Sequence, residues 1–192
     1  MRIFAAVVPS TDALDDLDRF LEPRRPAASV SATPFRWATP DQWHLTLAFM
    51  AEVEEWRIDG LLAGLADVAS RRTPFPLSLQ GGGAFPDAAR AKVLWCGVGG
   101  DVEALARLAA STRNTANAVG AVPDGGRFRA HLTLGRLAWP GEASNWVRLL
   151  DAYAGPPWSA DSLTVIGSHL GEGPRRRPRH EVLAELPFAE TP

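Results

Sequence analysis

The sequence predicts an α+β fold of two pseudo-symmetric lobes, each a small antiparallel sheet covered by helices on one side, with a central cleft between them. Three observations point there. The tetrapeptide His-Leu-Thr-Leu occurs twice, at positions 44–47 and 131–134 of a 192-residue chain. Around each copy one order of elements recurs: strand, helix, His-x-Thr strand, helix, strand. No stretch is rich enough in Gly or Ser to act as a flexible linker. The whole chain, 1–192, therefore reads as a single domain with lobes roughly 1–90 and 91–192, and strands are free to exchange between them.

The elements follow from local pattern. Arg2 to Val8 is a strand ended by Pro9, and Ser10 or Thr11 caps a helix to Leu21 with Leu14, Leu17 and Leu21 on one face. Residues 22–34, rich in Pro, Ala and Ser, form a loop, and Phe35 to Trp37 is a short extended piece. The first His-x-Thr strand covers about 43–50. Trp56, Ile58, Leu61, Leu62, Leu65 and Val68 give helical periodicity over 54–70. Phe75 to Gln80 is a strand, and Gly81-Gly82-Gly83 reads as a plain turn, lacking the spacing and Lys of a phosphate-cradling loop. In the second half, 91–98 is a strand, Gly99-Gly100 turn the chain, and Asp101 caps a helix to Ala118. A turn at 123–126 leads into the second His-x-Thr strand, about 128–136. Trp139-Pro140-Gly141 turns again, a helix spans 142–153, and strands at 163–168 and 181–186 close the chain.

In a strand, residues two apart share a face. His44 and Thr46 then point one way while Leu45, Leu47 and Phe49 point to the core, and His131 and Thr133 likewise oppose Leu132 and Leu134. Each sheet keeps one face that no helix covers. If the lobes pack about a pseudo-twofold, two His and two Thr line the cleft between those faces.

Composition limits the partners. The net charge is −2, so the chain does not coat long nucleic acid by bulk charge, although single phosphates remain within reach of its 19 Arg. One cysteine, Cys96, permits neither an internal disulfide nor a thiolate metal cage. The first residues are too short for a signal segment and meet Asp12, Asp15 and Asp16. No apolar run is long enough to span a membrane. A cytoplasmic monomer without membrane association is the expectation.

The repeated motif supplies an acid, a base and two hydroxyl donors. Two imidazoles titrating near neutrality divide the labour, one neutral and one protonated. Two hydroxyls donate to the oxygens of a phosphorus centre. In-line displacement at phosphorus needs those parts. A single His in a strand is more often a core residue; the duplicate in matching context reverses that reading. Zinc needs three or four ligands, and His169 and His180 do not stand at ligand spacing, so the expectation is no metal and no cofactor. No nucleophile elbow supports a Ser-His-Asp triad.

These residues, with their flanks, resemble one family. Arg36-Trp37-Ala38-Thr39-Pro40 leads into Trp43-His44-Leu45-Thr46-Leu47-Ala48-Phe49, and Trp95-Cys96-Gly97-Val98 follows. The last stretch runs from Arg127-Phe128-Arg129-Ala130 through His131-Leu132-Thr133-Leu134 to Gly135-Arg136. Nearly the whole chain, in order, is similar to the bacterial RNA 2′,3′-cyclic phosphodiesterases of the 2H phosphoesterase superfamily, also described as 2′-5′ RNA ligases. The resemblance implies a metal-independent enzyme that opens 2′,3′-cyclic phosphates of RNA ends or small nucleotides, leaving 2′-phosphates. His44 and His131 would be the catalytic pair, with His44 the acid on the 3′ oxygen and His131 the base on water. Thr46 and Thr133 would hold the phosphate, joined by Arg136. Strict alternation aims Arg136 away from the His131 face, unless Gly135 allows a bulge. Trp37, Trp43 and Phe128 are candidates to stack a base or ribose, and the Arg175–Arg179 run is a candidate for an RNA backbone. Relatives commonly carry Gly at position 51 and Pro at 130, where this chain has Ala; His180 stands where an aromatic is often found. Two alternatives stay open: a 2′-5′ ligase or 2′-5′ phosphodiesterase, and a nucleotide-binding module without turnover.

Overall fold

The computed structural model describes residues 1–26, 35–173 and 178–190. Among the described residues nine strands form one curled, antiparallel sheet: β1 (Arg2–Val7), β2 (Phe35–Trp37), β3 (Leu45–Met50), β4 (Phe75–Phe85), β5 (Ala91–Gly100), β6 (Leu132–Gly141), β7 (Ala154–Ala160), β8 (Ser162–His169) and β9 (Arg179–Pro187). Four α-helices are defined among the described residues: α1 (Thr11–Leu21), α2 (Glu55–Ser70), α3 (Val102–Ala118) and α4 (Ser144–Asp151). Ser10 accepts from the Ala13 amide at the start of α1, and Asp101 from that of Ala104 at the start of α3, as the capping pattern requires. No described helix is long and apolar enough to cross a membrane.

The sheet order is β7-β4-β5-β6-β3-β1-β8-β9, with β2 added alongside β6. The two His-x-Thr strands are therefore central neighbours. Four strands lie on either side of the β6/β3 junction, and the halves of the sequence interleave: β4 pairs with β5 and β7, while β8 pairs with β1. Helices cross over too. α1 packs on β7 and β4, whereas α3 packs on β3 beside α2, which covers β8 and β9. Ile3, Val7, Leu45, Leu47, Leu132 and Leu134 lie in the buried core.

Four local expectations are corrected. Gly99-Gly100 does not turn the chain but ends β5, opposite Ser78 and Leu77 of β4. Gly81-Gly82-Gly83 is not a turn but part of β4, which continues to Phe85; Gly81 sits at φ 63°, where β4 shifts register against β5. Trp139-Pro140-Gly141 belongs to the end of β6 rather than to a turn. β7 has no counterpart in the periodicity, because Pro156 and Pro157 argue against a strand; they are accommodated because β7 is a sheet edge.

Candidate active site

β3 and β6 pair at one position, Leu45 opposite Leu132. Beyond it, β6 pairs with β2 instead, Phe35 to Trp37 lying opposite Leu137 to Gly135. Antiparallel register about the Leu45–Leu132 pair sets His44 against Thr133 and Thr46 against His131. Both leucines are buried, so all four polar side chains lie on the other face. Each histidine thus has the threonine of the other motif as its cross-strand neighbour.

The two imidazoles are held alike. His44 Nδ1 lies 2.8 Å from the Gln42 carbonyl oxygen, and His131 Nδ1 lies 2.7 Å from that of Arg129. A carbonyl only accepts, so each Nδ1 carries a proton and donates it. Each neutral ring then has Nε2 as its lone-pair nitrogen, the atom left for chemistry.

Aromatic rings surround both. His44 lies 5.2 Å from the Phe4 ring and 5.7 Å from that of His180, and Phe4 stacks on Phe49 at 4.8 Å. His131 lies 5.0 Å from Phe85 and 6.2 Å from Trp95. Gly83 faces Trp95 across the β4–β5 pair, and a Cβ there would run into the indole, so the glycine run makes room for this platform. The Arg129 guanidinium lies over both Phe85 and Trp95.

These surroundings lower both pKa values. Burial pushes the His44 imidazole down from 6.5 to about 4; His180 adds to this, the Gln42 hydrogen bond opposes it, and His131 contributes least. His131 is also lowered, chiefly by burial, against the Arg129 carbonyl and with the Arg136 and Arg129 charges adding to the fall. Both shifts favour the neutral form of the ring.

Two matched bulges decide what else shares this face. Thr46 pairs with Ala6 and Ala48 with Ala5, so Leu47 is an extra residue. Thr133 pairs with Trp95 and Gly135 with Leu94, so Leu134 is extra in the same way. Each bulge lies three residues past its histidine and moves later residues to the opposite face. Arg136 therefore shares the face of His131 and Thr133, as a bulge would require. Phe49, five residues past His44 as Arg136 is past His131, also comes to the histidine face; its expected place in the core is corrected.

The aromatic candidates fare differently. Trp43 is 2% exposed and sits in the core, so it offers no stacking face. Trp37 packs edge-on against Trp146 of α4, which puts it on the helix side of β2. Phe128 is half-buried against the core. The rings beside the histidines are instead Phe4, Phe85, Trp95 and His180, contributed by strands whose register decides their position. Arg175, Arg176 and Arg177 lie outside the described residues; Arg179 is ion-paired with Glu172 and Glu181.

The sequence profile for LigT-like phosphoesterases matches residues 13–95. The RNA 2′,3′-cyclic phosphodiesterase of Archaeoglobus fulgidus is 33% identical over 137 residues, covering 71% of this chain and 73% of that protein. The protein of the same name from Geobacillus stearothermophilus is 28% identical over 193 residues, 98% of this chain. This chain spans 58% of that relative's length. The crystal structure of the Thermus thermophilus protein TT0787 superposes with a TM-score of 0.76 at 25% identity, covering 99% of each chain.

Proposed function

The chain belongs to the LigT-like phosphoesterase family, and on that premise we propose that it hydrolyses 2′,3′-cyclic phosphates at RNA ends or on small nucleotides to 2′-phosphates. The observation that carries this reading is the matched pair of imidazoles, each with Nδ1 donating to a carbonyl two residues back, on neighbouring strands.

The phosphorus sits between the two Nε2 atoms, its non-bridging oxygens accepting from the Thr46 and Thr133 hydroxyls. Water attacks phosphorus as His131 Nε2 takes its proton. The bond from phosphorus to the 3′ oxygen breaks, and His44 Nε2–H protonates that oxygen. The products are a 2′-phosphate and a 3′-hydroxyl. His44 is left neutral and His131 protonated, and exchange with solvent restores both.

Burial lowers both imidazoles, so the order of their roles rests on the family resemblance. Burial chiefly, with the Arg136 and Arg129 charges adding to it, holds His131 in the neutral form from which a base starts. His44 is lowered mainly by burial, with His180 adding to the fall. A bound phosphodiester anion offsets that penalty and lets His44 carry the proton it must give.

The test is incubation of the full chain with cyclic-phosphate mononucleotides and short RNAs, with phosphorus NMR of the products. A 2′-phosphate is expected. A 3′-phosphate would overturn the assignment of the leaving oxygen, and no turnover of any of them would overturn the reading.

A further inference from the structure

We propose that Arg36 binds a second phosphate, the internal phosphodiester next to the cyclic end, so that the preferred substrates are oligonucleotides rather than cyclic mononucleotides. The inference rests on the reading of the site as a cyclic phosphodiesterase.

Arg36 stands directly opposite Arg136 in the β2–β6 pair. Directly opposed residues project on one face, their Cα atoms about 4.5–5.5 Å apart. Phe35 and Trp37, on either side of Arg36 in β2, both pack against Trp146 of α4 on the helix side. Alternation therefore sends Arg36 to the other face, which carries the histidines. Arg136 reaches that face through the Leu134 bulge. Gly135 permits the arrangement: a Cβ there would press on the Arg36 carbonyl oxygen at 3.2 Å, so the glycine lets β2 lie close.

Two guanidiniums held opposite one another repel. Among the described residues, neither Arg36 nor Arg136 forms an ion pair, although seven other arginines do. Arg36 is exposed. Such a pair is matched by an anion brought from outside. One phosphate, the reacting one, engages the threonines and Arg136, leaving the outer guanidinium of Arg36 for the next phosphate along the chain. Arginine suits this through its fork of donors.

The test compares kcat/KM for uridine 2′,3′-cyclic phosphate, which has one phosphate, with that for UpU ending in a 2′,3′-cyclic phosphate, which has two. Arg36→Gln is measured beside wild type, with Arg107→Gln on α3 as a control of equal charge change. Wild type should prefer the dinucleotide by about tenfold or more, the scale of a charged hydrogen bond. Its log–log salt slope should be steeper by about 0.7, the contribution of one phosphate on a single strand. Arg36→Gln should abolish the preference and the extra slope, and Arg107→Gln should keep both. Equal rates on the two substrates in wild type, or a preference that survives Arg36→Gln, or an equal loss on both substrates in that variant, would overturn the proposal while the phosphodiesterase reading stands. Turnover of neither substrate by wild type would overturn that reading and this one with it.

Discussion

Lowering the pH tests the burial of His44 directly. The fall of its pKa from 6.5 to about 4 corresponds to about 3 kcal/mol in favour of the neutral ring in the folded state. Above 6.5 both folded and unfolded chains hold the ring neutral. Between 6.5 and about 4 only the unfolded chain takes up the proton, so stability falls as pH falls, by about 3 kcal/mol across the window. His131 and His180 are lowered too and steepen the same loss. His44→Gln keeps a polar side chain and removes the titration. Urea unfolding of both proteins at about pH 7.5, 5.5 and 4 measures the difference. The variant should lose about 3 kcal/mol less than wild type over that range. Parallel loss in the two proteins would show that His44 titrates normally and that its buried, neutral state is wrong.

Other consequences concern turnover. Because kcat/KM reports the free enzyme, both limbs of its bell should lie below about 6.5, while the kcat bell moves upward as bound phosphate favours imidazolium; a kcat/KM bell centred above neutrality would contradict the lowered pair. Thr46→Ala and Thr133→Ala should each cost about 1–3 kcal/mol of transition-state stabilisation, read from kcat/KM, through an unpaired phosphate oxygen; wild-type values in both would remove the hydroxyls from the site. Gly83→Ala should displace the Trp95 indole, costing about 1–3 kcal/mol of stability by overpacking and lowering turnover along with it; unaltered stability and turnover would show that Trp95 does not need that space.

Much of this is legible in the sequence. The duplicated His-x-Thr places both imidazoles and both hydroxyls on one face, because buried Leu45 and Leu132 fix the alternation. The helices follow from periodicity and from Ser10 and Asp101 as caps. What periodicity cannot show is register. The bulges at Leu47 and Leu134 add one residue each and reverse the face of everything after them, so alternation alone puts Phe49 in the core. Phe4, Phe85 and Trp95 approach the histidines only through pairing between strands distant in sequence. The Gly81–Gly83 run resembles a turn locally; its role depends on the indole lying across it. Trp37 and Trp43 flank a motif in sequence yet serve the core, because one faces α4 and the other is buried.

The pairing of the two imidazoles is the central claim, and a mutant cycle tests it most directly. With kcat/KM measured on a cyclic-phosphate dinucleotide, His44→Ala and His131→Ala should each lose on the order of 10²–10⁴. The double variant should be little worse than the poorer single, since the pair acts as one unit. Near-wild-type turnover in either single variant, with folding verified, would contradict it, as would losses that simply multiply in the double.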